Sequence, residues 1–102
     1  MADIIELTTT DFDAVTSTGT VFVDFYATWC NPCKMFGKVI EQTAKEYSGN
    51  GVIAKVDVDK NPELAVKFDI NTIPHVVVFA DGKVVCSKPG AMTKTEILEY
   101  LK

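Results

Sequence analysis

The sequence of 102 residues has little of what marks a secreted, membrane-bound or nucleic-acid-binding chain. No apolar run approaches the ~18–20 residues of a membrane span. The segment Met1-Ala2-Asp3-Ile4-Ile5-Glu6 has neither the basic nor the apolar region of a signal peptide, so a cytoplasmic location is expected. Lys and Arg total 10 against 14 Asp and Glu, a formal net charge of −4. Without a basic excess there is nothing to replace phosphate counterions, which argues against a nucleic-acid partner. The three cysteines are an odd number, and two of them sit close together, unlike the even, widely spaced set of a secreted disulfide framework. Repeats, low-complexity stretches and linkers are also missing. What is there is a hydrophobic fraction of 47%, enough to build a core and too much for a disordered chain. A monomer of one domain, residues 1–102, with no membrane as partner, is the expectation.

Apolar patterns alternate between strand-like and helix-like, the mark of an α/β layer fold. Residues Val21–Ala27 are apolar on both faces, which predicts a strand in the middle of a sheet covered on each side. Val52–Val58 and His75–Ala80 read as two more strands. The latter runs into Asp81-Gly82, a hairpin signal, and then a strand over 83–87. A short edge strand is expected over 3–7. Helical spacing of Phe36, Val39, Ile40, Ala44 and Tyr47 predicts a helix from Asn31 to about Ser48. Asn61-Pro62-Glu63 reads as an N-cap with proline at the first helical position, opening a short helix to about Phe68. Thr93 and Glu96 form a capping box for a last helix, and a weaker helix fits 10–15. The order is β-α-β-α-β-α-β-β-α, with parallel early crossovers and an antiparallel final pair.

Chemistry concentrates at Trp29-Cys30-Asn31-Pro32-Cys33, the turn from the central strand to the long helix. Open α/β sheets place their sites at such turns. Cys30 falls at the helix N-terminus, where unpaired N–H groups and the positive dipole end stabilise a thiolate. Cys33 lies one turn further in and is expected to be the more shielded. Pro32 stiffens the turn without spoiling the helix. A mechanism follows: Cys30 attacks a substrate disulfide, and Cys33 then loses its proton and attacks Cys30 to release the reduced substrate. The proton acceptor is expected to be Asp24, the one charged residue of the apolar strand, with a pKa raised by desolvation and partly offset by Lys55. Blander readings stand beside these. In these, Asp24 is hydrogen-bonded and inert, Trp29 merely packs, and Cys86 is a small apolar strand residue whose exposure stays open. A zinc site of Cys30, Cys33, His75 and Cys86 lacks a second cysteine pair, so no metal is expected.

The segment Val23-Asp24-Phe25-Tyr26-Ala27-Thr28-Trp29-Cys30-Asn31-Pro32-Cys33-Lys34-Met35 resembles the active-site segment of the thioredoxin family. Val56–Asp59, Ile73-Pro74, Phe79–Lys83 and Gly90-Ala91 follow in that family's order, so the likeness runs along the whole chain. The resemblance implies a thioredoxin fold: a five-stranded mixed β-sheet flanked by four α-helices. It implies a protein-disulfide reductase, with Cys30 as nucleophile, Cys33 as resolving thiol and Asp24 as the buried carboxylate. It also implies a cis-proline at Pro74 against the disulfide, and an apolar docking surface of Trp29, Ile73, Pro74, Gly90 and Ala91 for disulfide-containing protein substrates. Electrons would come from NADPH through a thioredoxin reductase. No cofactor is expected to bind, for the sequence has no glycine-rich dinucleotide fingerprint.

The sequence departs from the family pattern in four places. Asn31 replaces the usual glycine and can hydrogen-bond the turn or the thiolate. His75, the only histidine, follows Pro74 where threonine is usual; it either becomes imidazolium beside Cys30 or points to solvent. Lys38, after Gly37, replaces the proline that commonly kinks the helix, so flexibility is expected in place of a fixed kink. Lys88-Pro89 is expected to stiffen the loop before Gly90. Together Asn31 and His75 are expected to make the pair less reducing than the value of about −270 mV known for thioredoxins in general. Two other readings remain: a more oxidising or isomerase-like relative, and a module that binds partners through this surface.

Overall fold

The computed structural model describes residues 2–102; Met1, where the reading of the N-terminus begins, lies outside them. In chain order the elements are β1 (Ile4–Glu6), α1 (Phe12–Thr16), β2 (Thr20–Tyr26), α2 (Asn31–Glu46), β3 (Val52–Asp57), α3 (Pro62–Lys67), β4 (His75–Ala80), β5 (Lys83–Pro89) and α4 (Lys94–Tyr100). This is the alternation that the apolar pattern predicts. The sheet order is β1-β3-β2-β4-β5, with β1, β3 and β2 mutually parallel, β4 antiparallel to β2, and β5 antiparallel to β4. Among the described residues, no helix is long and apolar enough to cross a membrane.

Period-two alternation divides the side chains of β2 between two cores. Val21, Val23 and Phe25 join Phe12, Val56, Leu64 and Phe79 on the face covered by α1 and α3. The rings of Phe12 and Phe79 meet edge-on there at 5.6 Å, a favoured aromatic geometry. Phe22 joins Phe36, Ile40, Ile53, Val76 and Ile97 on the face covered by α2 and α4. Asp24 and Tyr26 follow Phe22 at the same parity, so the one carboxylate of β2 is directed toward α2.

Local chemistry explains the element ends. Asp81 and Gly82 have φ of 49° and 84°, the left-handed pair that lets a two-residue turn match the twist of β4 and β5. The capping box is present in full: the Thr93 hydroxyl accepts from the Glu96 N–H, and the Glu96 carboxylate accepts from the Thr93 N–H. Asn61 precedes α3, but its side chain does not cap it. Its amide oxygen instead accepts from the Thr9 N–H at 3.0 Å, and its amide nitrogen donates to the Asp57 carbonyl. The need to satisfy the backbone of the 8–9 turn outweighs the local cap. Lys88 and Pro89 belong to β5, registered with Val76 and His75, and do not form the expected loop.

Helix α2 runs unbroken from Asn31 to Glu46 through Gly37. A Cβ at Gly37 would meet no atom within 4 Å, so no close approach requires glycine there. The residue therefore costs helix stability without a packing return. Replacing Gly37 with Ala is expected to raise the unfolding free energy by about 0.5–1 kcal/mol. An increase in the urea midpoint at unchanged m-value checks this.

Candidate active site

Cys30 ends the β2–α2 turn in extended conformation and is the N-cap of α2, with Asn31 and Pro32 opening the helix. Its sulfur occupies the place of a capping oxygen: the Cys33 N–H points at Cys30 Sγ at 3.2 Å. Proline early in the helix has no N–H to leave unpaired. Cys30 and Cys33 are joined as a disulfide, their Cα atoms 5.2 Å apart. Exposure does not separate the two, at 5% and 4%, so the greater shielding expected of Cys33 is shared by Cys30. What separates them is what each faces. Cys30 Sγ lies 3.9 Å from the Ile73 carbonyl oxygen, whereas Cys33 lines a groove of about 370 Å³ together with Asp24, Tyr26, Gly37 and Lys55.

The Ile73–Pro74 peptide bond is cis. Pro74 is buried, and its carbonyl accepts from the Gly90 N–H at 2.8 Å, which ties the Gly90-Ala91 turn to it. Gly90 has a φ of 93°, a conformation that side-chain-bearing residues avoid. Trp29 is 67% exposed, yet its indole N–H donates to Asp59 at 2.7 Å. Asp57, buried at the end of β3, accepts from the N–H groups of Asp59 and Lys60 and so shapes the turn that holds this acceptor. The sequence marks Asp59 as part of a family pattern but not as the partner of Trp29. A charged residue just past a strand end, beside an exposed indole, is the available signal.

Asp24 is 3% exposed, and its Oδ1 has no hydrogen-bond partner among the described residues. Burial pushes its pKa up to about 7, against a pull downward from Lys55 and a smaller push upward from Glu6. The reading of Asp24 as hydrogen-bonded and inert therefore does not hold at Oδ1. Lys55 stands beside it in the β2–β3 register.

His75 corrects both of its expected placements. It is 7% exposed, so it does not point to solvent, and its Nε2 lies 2.9 Å from the Ser87 hydroxyl. Burial holds its pKa below the usual histidine value, which disfavours an imidazolium. Registered with Phe25 on β2, it shares the α1/α3 side of the sheet, whereas Cys86, opposite Val78, packs on the α2/α4 side. The four residues of the zinc alternative are thus not brought together, and the described residues hold no group of three metal-ligating side chains. Cys86, whose exposure the sequence leaves open, is half-buried and packs against the core. Asn31 and Pro32 are exposed at the mouth of the site.

Comparison with known proteins agrees with this geometry. The thioredoxin family model matches residues 3–102. Thioredoxins of Staphylococcus aureus strains Mu50 and MW2 are each 43% identical to the chain over 98 residues, covering 96% of it and 94% of the relative. A solved mutant thioredoxin from Halobacterium salinarum NRC-1 superposes with a TM-score of 0.85 at 34% identity, covering 97% of this chain and 88% of that one.

The raised pKa of Asp24 has a consequence for stability. The native carboxyl holds its proton more tightly than the unfolded one, so both states are protonated below pH ~4 and only the unfolded state ionises freely between ~4 and ~7. Stability attributable to this group is therefore intact in acid and lost as the pH rises through about 7. Asp24→Asn is expected to be more stable than the parent by a few kcal/mol at pH 8, on the order of the ~1.4 kcal/mol per pKa unit that linkage allows. The difference should vanish below pH 4, and denaturant unfolding across that range measures it.

Proposed function

The chain belongs to the thioredoxin family, and from that premise we propose a division of labour among the residues of its site. The activity itself is that of a protein-disulfide reductase, a thiol–disulfide redox carrier that works through its own redox-active disulfide without a prosthetic group. Family membership also supplies, in general terms, disulfide-containing substrates and a reductase as partners.

In the reduced protein, Cys30 is the nucleophile. The Cys33 N–H and the N-terminus of α2 favour its thiolate, which attacks one sulfur of a substrate disulfide. The substrate's S–S bond breaks, one substrate sulfur leaves as a thiolate, and the other is held in a mixed disulfide with Cys30. Cys33 then gives its proton to Asp24 through the groove that both line and attacks Cys30 Sγ. The second substrate sulfur departs and is protonated, leaving the Cys30–Cys33 disulfide seen here. Two electrons have passed to the substrate. We assign their replacement to NADPH by way of a thioredoxin reductase, and the cytoplasm, where such a supply operates, as the location. The observation that carries this reading is the disulfide at the helix N-terminus with a buried carboxylate of pKa about 7 on the groove behind it.

Docking is assigned to Trp29, Ile73, Pro74, Gly90 and Ala91. The support is their neighbourhood: Ile73 lies against Cys30, Gly90 is bound to Pro74, and Trp29 is exposed beside the disulfide. Asn31 and Pro32 shape the turn, Lys55 offsets the charge of Asp24, and His75 supports Pro74 from the buried end of β4. In this scheme the chain acts as a monomer, one domain over 1–102, needing no second copy and no metal.

Cys33→Ser is expected to accumulate a covalent mixed disulfide with substrate, and Cys30→Ser to form none; intact mass after acid quenching distinguishes the two. If Cys33→Ser forms no adduct, the order of attack is wrong. For the redox poise, a neutral, buried His75 removes the imidazolium contribution, so His75→Ala is expected to leave the Cys30 thiol pKa unchanged. Any departure from about −270 mV then rests on Asn31, and a redox titration of Asn31→Gly against the parent reads it. A parent midpoint near about −200 mV would favour the more oxidising alternative.

A further inference from the structure

Asp24 does not meet Lys55 alone. In the register of the parallel strands, Glu6 of β1 stands beside Lys55 of β3, which stands beside Asp24 of β2. In-register neighbours of a parallel sheet point to the same face, so carboxylate, ammonium and carboxylate form a row across three strands. The row is not shared evenly. Lys55 Nζ lies 3.7 Å from Glu6 Oε1, and its ion-pair partner among the described residues is Glu6. Tyr26, two residues beyond Asp24 on the same face, fixes that arrangement from the other side. Its phenol donates to the Glu6 carboxylate, with both oxygens at 2.9 Å, and the Lys55 ammonium sits 5.3 Å from the centre of its ring.

We propose that Glu6 is a positioning residue for proton exchange at the redox site. Held by Tyr26, it draws the Lys55 ammonium toward the edge of the sheet and keeps that cation from pairing with Asp24. A carboxylate in contact with a lysine ammonium would stay ionised through neutral pH and be a poor proton acceptor for a thiol. With the ammonium drawn off and Oδ1 unpartnered, Asp24 is left able to gain and lose a proton in that range. The upward push of Glu6 on Asp24 has the sign this requires. The other groups facing Asp24 are Cys33, Lys34, Lys38 and Glu41 of α2, which line its groove, while β4 presents the apolar Val76. Glu6 and Lys55 are each about half-exposed, so the effect should weaken with added salt.

The inference rests on the proton-transfer role proposed above for Asp24, but its test reads Asp24 directly. The side-chain carboxyl of Asp24 is titrated by carbon-13 NMR in the oxidised protein, in the parent and in Glu6→Gln, Lys55→Gln and the double variant. Glu6→Gln is expected to lower the Asp24 midpoint by about half a pH unit, as the released Lys55 ammonium moves toward the Asp24 carboxyl. In the Lys55→Gln background the same change should produce less than half that shift, because no ammonium remains to be redirected. Where Glu6→Gln disturbs β1, Glu6→Thr, neutral and a better strand former, carries the same expectation. An unmoved midpoint overturns the proposal. So does an equal shift with and without Lys55, which would leave Glu6 only a distant charge. Failure of Asp24 itself as the proton acceptor would show elsewhere, as an Asp24→Asn protein that releases mixed disulfides at the parental rate and pH profile.

Discussion

A buried carboxyl group on the groove that Cys33 also lines is the constraint to which the rest of the site answers. Burial alone would force Asp24 to stay protonated, and a close cation would force it to stay ionised. Its pKa of about 7 lies between these limits because desolvation is the largest influence and Lys55 the opposing one. The sheet keeps both in place: β2 is central, apolar and covered on each face, and β3 fixes Lys55 one strand away. This arrangement costs stability at neutral pH, and a core of Phe22, Phe36, Ile40, Ile53, Val76 and Ile97 on the same face offsets it.

The other half of the site faces outward and follows a different logic. There the backbone is the positioned group. The Ile73 carbonyl lies against Cys30, the Pro74 carbonyl is tied to Gly90, and Trp29 is braced by Asp59. If a partner docks on this edge, as proposed, these backbone contacts leave few side chains to be immobilised on its arrival. The disulfide sits between the two halves. Cys30 faces the Ile73 carbonyl and Cys33 the groove of Asp24, and a single turn of α2 separates the two.

Much of this was legible in the residues. The Cys30–Cys33 spacing, the strand-to-helix turn around it and the lone charge in an apolar strand pointed to thiolate chemistry with a buried acid, because each depends on local spacing and on alternation along one strand. Capping at Thr93 and the Asp81-Gly82 turn were legible for the same reason. His75 was not. Its neighbour in sequence is Pro74, but strand alternation turns it to the face of α1 and α3, where it lies against Ser87 and burial lowers its pKa. Asn61 was likewise read as a cap and instead binds Thr9, a residue remote in sequence.

By itself, then, the sequence determined the chemistry: which sulfurs pair, which helix end receives them, and that an acid lies under them. These are consequences of covalent spacing and of the 2.0 and 3.6 periodicities of strand and helix. Only the tertiary structure decided the electrostatics. Strand order puts β3 between β1 and β2, and register sets Glu6, Lys55 and Asp24 side by side. Whether a carboxylate meets a lysine, and whether that lysine is already engaged, depends on the pairing of segments about 50 and 30 residues apart, as the numbers of Glu6, Lys55 and Asp24 make plain. Charge interactions of that kind act through space at distances of a few ångströms, and no local pattern along the chain encodes them.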